Sequence, residues 1–154
     1  KGIMKTLILY KSKYGSTKQY AEYLNQNIKN SDLVSIDDFK KDCLNEYDNI
    51  ILGSSTYMGQ IQILKELIDM WESIKDKKVS LFAVGLIDPD AQGSQITYNN
   101  IPDNIRGKIK YIKVPGRLNL RKLNIFEKLV AKAMTTEDVD KVDVTKLEPL
   151  IDKK

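Results

Sequence analysis

Ser12 to Thr17 reads SKYGST, three hydroxyls and a glycine set behind the apolar run MKTLILY and ahead of a segment with helical spacing. The first amide N–H groups of a helix have no partner inside it and carry the positive end of its dipole. An anion fits at such a place. Gly15 lets the backbone close in on a ligand or take positive φ, and the hydroxyls of Ser12, Ser16 and Thr17 can donate to phosphate oxygens. The same composition also serves a plain N-cap at Ser16 or Thr17. The loop lacks the lysine after a second glycine that G-x-x-x-x-G-K-[ST] requires, and it is not G-x-G-x-x-G. A monophosphate is therefore a better match than a triphosphate or dinucleotide.

A second loop, GSSTYMGQ from Gly53 to Gln60, offers an aromatic face at Tyr57 and a polarizable thioether at Met58. With Gly53 and Gly59 as freely adapting backbone on either side, it suits a planar heterocycle, although Tyr57 also reads as an ordinary surface tyrosine. A third glycine-punctuated loop, GLIDPDAQG, runs from Gly85 to Gly93. Residues missing from the sequence narrow the chemistry. The 154 residues contain no histidine and a single cysteine, Cys43. A nucleophile with a histidine base, a histidine metal site and an intramolecular disulfide are all excluded. Cys43 reads as a small half-buried apolar residue. No catalytic side chain and no metal ligand set is assigned, and any chemistry must use carboxylates, lysines, tyrosines or a borrowed cofactor.

These loops need elements to hold them. MKTLILY (4–10), DLVSI (32–36), YDNIILGSS (47–55), KKVSLFAVGLID (77–88) and GKIKYIKVPG (107–116) have strand length, and four of them lack polar alternation. Continuous apolar runs suit strands covered on both faces of a parallel sheet. The fifth alternates with lysines, as an edge strand does. Between them, Tyr20, Ala21, Leu24 and Ile28 recur at helical intervals, and Ile61, Leu64, Ile68 and Trp71 form a second stripe with Leu67 alongside. Trp71 is expected in the core. Ala91–Ile105 should hold a covering helix, although its glycine, proline and amides weaken that pattern, and RKLNIFEKLVAKAM (121–134) closes with another amphipathic helix. Strands alternating with helices predict a doubly wound α/β sheet, with ligands outside the strands' carboxyl ends. Length and composition predict one domain over residues 4–154, and Lys1–Ile3 read as an addition ahead of a natural start at Met4. No apolar run reaches the roughly 20 residues of a membrane span and no leader pattern opens the chain, which points to the cytoplasm.

At these residues the chain resembles the flavodoxin family. SKYGST, IILGSSTYMGQ and LFAVGLIDP look like its three FMN loops. YGST together with VPGRLNLRKLNIFEKLVAKAM resembles the flavodoxin-like branch that includes the menaquinone-dependent protoporphyrinogen oxidases. The resemblance implies a three-layer sandwich around a five-stranded parallel sheet of order 2-1-3-4-5. By the same resemblance, Ser12, Lys13, Tyr14, Gly15, Ser16 and Thr17 cradle the FMN phosphate. Ser54, Ser55, Thr56, Tyr57, Met58 and Gly59 contact ribityl and ring, and Gly85, Leu86 and Ile87 meet the pyrimidine edge. Two departures stand out. The third loop begins without an aromatic, which leaves one flavin face partly open, and the chain is basic where electron carriers of the family tend to be acidic.

The formal net charge is +4. From Arg106 to Lys132 nine lysines and arginines face one acid, Glu127. Leu123, Phe126 and Val130 make an apolar stripe beside three of those lysines. Two structures share this pattern: a helix covering the sheet with solvated lysines, and a peripheral membrane contact through 115–134. Aromatics do not interleave with the lysines as stacking platforms would, so nucleic acid is not expected as a partner. The resemblance implies electron transfer through bound FMN to a redox partner protein. An alternative is a quinone-dependent oxidoreductase of the protoporphyrinogen oxidase type.

Overall fold

Residues 4–12, 15–57, 59–85, 92–118 and 139–151 are described by the computed structural model. The expected contributions of Lys13, Tyr14, Met58, Leu86 and Ile87, and the amphipathic helix at 121–134, lie outside them.

The continuous apolar runs become strands whose side chains go alternately to two covered faces. Strands β1 (Thr6–Lys11), β2 (Ser31–Ser35), β3 (Asn49–Tyr57), β5 (Lys78–Gly85) and β6 (Lys110–Pro115) form a parallel sheet in the order β2-β1-β3-β5-β6. Counting parallel strands alone, this is the expected 2-1-3-4-5. β4 (Gln60–Ile61) is a short antiparallel addition on the end of β3. Leu7, Leu9, Ile50, Leu52, Leu81 and Ala83 face one side, where they pack against Leu67, Met70, Trp71 and Ile74 of α2 (Leu64–Ile74). Ile8, Ile51, Phe82, Val84 and Val114 face the other, against Tyr20, Ala21 and Leu24 of α1 (Ser16–Asn27). Each fully buried Leu, Ile or Phe contributes about 1.5–3 kcal/mol of transfer free energy, which fixes the register, because a slip of one residue would exchange the faces.

The second helix is rotated relative to the expected stripe. Gln60–Ile61 turn back on Thr56–Tyr57 as a hairpin, so the helix begins only at Leu64. Ile68 is thereby left 45% exposed, and the core stripe is Leu67, Met70, Trp71 and Ile74. Trp71 is in the core as expected. The irregular stretch after the third loop resolves into α3 (Gln92–Asn99) and α4 (Asp103–Arg106), separated by Pro102 at the start of α4. β6 is an edge strand. Cys43 is half-buried against the α2-side cluster.

The tail completes the α1 side. Arg117–Leu118 (β7) pairs with Val139–Asp140 (β8), and the 3-10 segment Val144–Leu150 buries Leu147 and Leu150 beside α1. Tyr20, fully buried, joins three parts of the chain. Its hydroxyl donates to Pro115 O at the end of β6 and accepts from Asp143 N at 2.9 Å.

Gly53 serves packing rather than adaptable backbone. A Cβ there would collide with the tip of the buried Phe82 ring, whose edge also meets Tyr20. Gly53→Ala is therefore expected to destabilise the fold by about 1–3 kcal/mol through overpacking, read as a lower midpoint in urea unfolding. The buried phenols predict alkaline sensitivity. Burial pushes Tyr111 up to about 12 from 10.0 and also raises Tyr20. Below the unfolded value near 10 both states hold these protons, and stability is unaffected. As pH rises from about 10 toward 12 the unfolded chain ionises first, so stability falls. Unfolding midpoints measured across that window should decline, and less steeply in Tyr111→Phe.

Candidate functional site

With both faces of the sheet sealed, the polar groups left for a ligand are at the carboxyl ends of β1, β3 and β5. At the first of these, Gly15 is the N-cap of α1 with φ +95, a left-handed conformation that favours glycine. Its N–H donates to Ser12 Oγ at 3.1 Å, which holds the turn. Neither Ser16 nor Thr17 is the cap. No described side chain caps α1, and its first turn contains no acid, so the amides there keep their positive character unopposed. Ser16, 7% exposed, has a hydroxyl with no hydrogen-bond partner among the described residues. Thr17 is fully buried, and its Oγ1 lies 2.8 Å from Ser55 Oγ. That contact ties the first loop to the second.

In the second loop the expected residues divide by depth. Ser54 is fully buried, and its hydroxyl donates to Ser55 O at 2.8 Å and accepts from Ile63 N at 2.9 Å, bracing the entry to α2. Thr56 Oγ1 donates to Val84 O at 2.8 Å, across to β5. Ser55 and Tyr57 are half-buried toward the strand end. Gly59, φ +78, turns the hairpin. Its carbonyl accepts from Thr97 Oγ1 at 3.2 Å and Asn100 Nδ2 at 3.3 Å, so α3 and the turn after it fix the loop from outside.

At the third end, Gly85 O accepts from Gly116 N at 3.1 Å, which draws the Pro115–Gly116 turn against the site. A Cβ on Gly85 would meet Thr56 Oγ1 at 2.5 Å and Lys113 Nζ at 2.9 Å. Lys113 belongs to β6, and burial holds its ammonium below the ordinary lysine range. At the rim, Lys11 Nζ and Glu66 Oε2 are 3.4 Å apart. Among the described residues there is no group of three His, Cys, Asp or Glu side chains able to hold a metal ion.

The structure thus brings Ser12, Gly15, Ser16, Thr17, Ser55, Thr56, Tyr57, Gly59 and Gly85 to one end of the sheet, with Ser54 just beneath. Sequence reading missed Lys113, Thr97, Asn100 and Gly116 as contributors. Only Gly116 carried a signal, the Pro-Gly pair ending the last strand.

The profile of the flavodoxin domain family (Flavodoxin_5) matches residues 7–145. The chain belongs to the flavodoxin domain family. No curated protein matches it in sequence. Among solved structures it is similar to an archaeal flavodoxin, with 20% identity over 77% of this chain and 88% of that one and a TM-score of 0.52. A flavodoxin, WrbA-like protein from Agrobacterium tumefaciens shares 19% identity over 86% and 92%, at 0.55. The Trp repressor binding protein of Bacillus subtilis shares 16% over 86% and 99%, at 0.54. At these identities the structures attest the flavodoxin fold. No helix among the described residues is long and apolar enough to cross a membrane.

The two donors on the Gly59 carbonyl give a local prediction. Each hydrogen bond is worth about 1 kcal/mol, and a factor of roughly five in local opening. The variants Thr97→Val and Asn100→Ala should each speed amide hydrogen exchange at Gly59–Ile61 by about that factor while leaving exchange in β1 unchanged.

Proposed function

We propose that this chain is an electron-transfer flavoprotein that holds FMN at the carboxyl ends of β1, β3 and β5. The observation that carries this reading is the opening of α1. An uncapped helix start at a left-handed glycine, followed by Ser16 and tied to the second loop by Thr17 and Ser55, is shaped for a phosphate monoester. Membership of the flavodoxin domain family supports FMN as the compound bearing that phosphate.

The groups present fit it in kind. Ser12 sets the Gly15 turn, Ser16 and the α1 amides hold the phosphate, and Ser55 and Thr56 approach the ribityl chain. Tyr57 presents its ring to the isoalloxazine, while the Gly59 turn and Gly85 bring backbone to its edges. Lys13, Tyr14, Met58, Leu86 and Ile87 belong to the same three loops and are proposed to complete them. Bound FMN supplies the one- and two-electron chemistry. The protein binds and orients it, and covers the strand ends.

A redox partner protein is the proposed partner. A second reading, a quinone-dependent oxidoreductase of the protoporphyrinogen oxidase type acting at a membrane surface, is favoured by the Pro115–Gly116 turn and the basic sequence after it.

Stripped of ligand, the protein should quench FMN fluorescence on one-to-one binding and take up riboflavin at least tenfold more weakly. Ser16→Ala should weaken FMN about tenfold, the worth of a hydrogen bond to a charged group, while leaving riboflavin unchanged. No FMN binding would overturn the proposal. Anaerobic reoxidation of the reduced protein by menaquinone analogues but not by ferredoxin-type proteins would favour the second reading.

A further inference from the structure

Lys113 contrasts with the other described lysines that carry partners. Lys5, Lys11 and Lys75 pair with Glu46, Glu66 and Glu72, and Lys110 donates to Pro149 O. Lys113 is three residues further along β6 and has no carboxylate or hydrogen-bond acceptor among the described residues. It is opposite Ala83 in register, and its side chain crosses β5 above Gly85. Its Nζ and Thr56 Oγ1 converge over the same Cα, from the strands on either side. The crossing requires that residue 85 have no side chain. A β-branched or even methyl-bearing residue there would push the ammonium back toward solvent.

A partly desolvated ammonium with three donors and no counter-charge among the described residues is costly, and the fold keeps it beside the third loop end rather than turned outward. Such a group interacts differently with a ligand before and after that ligand gains negative charge. In a half-buried place the difference is larger than at the surface, because water screens it less.

We propose that Lys113 is a potential-setting residue of the cleft, a cation held over Gly85 that binds the flavin more tightly once the ring has been reduced and carries negative charge. This rests on the FMN reading above. It deepens that reading by assigning to the lysine the bias of the site toward reduced cofactor. Lys113 positions charge and takes no part in bond making.

The experiment compares wild type with Lys113→Met and Lys113→Arg, each loaded with FMN. Affinity for oxidised FMN is read by fluorescence, and the two-electron midpoint by equilibration with reference dyes. Lys113→Met should bind oxidised FMN within about threefold of wild type and reduced FMN at least tenfold more weakly. That loss lowers the midpoint by about 30 mV or more. Lys113→Arg should restore most of it. A purely structural lysine would alter affinity for both forms alike and leave the midpoint where it was, and that result overturns the proposal. If Lys113→Met fails to fold, Lys113→Gln carries the same comparison. In the unaltered protein, labelling of Lys113 by an amine reagent, located by peptide mass, should slow at least tenfold in saturating FMN; equal labelling would also overturn it. A chain that takes up no FMN at all overturns both this inference and the reading beneath it.

Discussion

Both faces of β1, β3 and β5 are closed by apolar side chains, and everything polar that the chain presents to a ligand follows from that closure. A parallel sheet sandwiched in this way satisfies its backbone within the ladder, except where the strands stop. At those ends the sequence changes from Leu and Ile to Ser, Thr and Gly, and the helix that begins there points its unpaired amides at the same place. The apolar layers and the hydroxyl-rich loops are thus two consequences of one arrangement.

The loops do not stand independently on this platform. Thr17 meets Ser55, Thr56 reaches Val84, Gly116 reaches Gly85, and Thr97 and Asn100 hold Gly59. Each loop is therefore braced by an element other than its own strand. Such cross-bracing suits a site that must keep its shape while a bound group changes charge, since fixed dipoles stabilise charge without reorganising.

Much of this was legible in the residues. Unbroken apolar runs gave the covered strands, lysine alternation gave the edge, and SKYGST and GSSTYMGQ gave two loop ends. The rotation of α2 was hidden because Ile61, Leu64, Ile68 and Trp71 have sound helical spacing, and only the Gln60–Ile61 hairpin moves the start. Gly53 looked like ligand-facing backbone, and its actual neighbour, Phe82, is 29 residues away, beyond any local pattern. Lys113 was indistinguishable from the other edge lysines, because reaching over Gly85 depends on register between β5 and β6. Tail residues Val144, Leu147 and Leu150 recur at every third position, the period of a short 3-10 segment, which is too brief to stand out as an amphipathic α-helix.

The Tyr20 hydroxyl links the helix that opens the candidate site to the end of β6 and to the segment before the tail's last turn. Because one oxygen serves as both donor and acceptor, those three pieces share a single mechanical joint. Tyr20 is four residues into α1, so the joint ties the first turn of that helix, and the loop end it opens from, to the carboxyl-terminal segment.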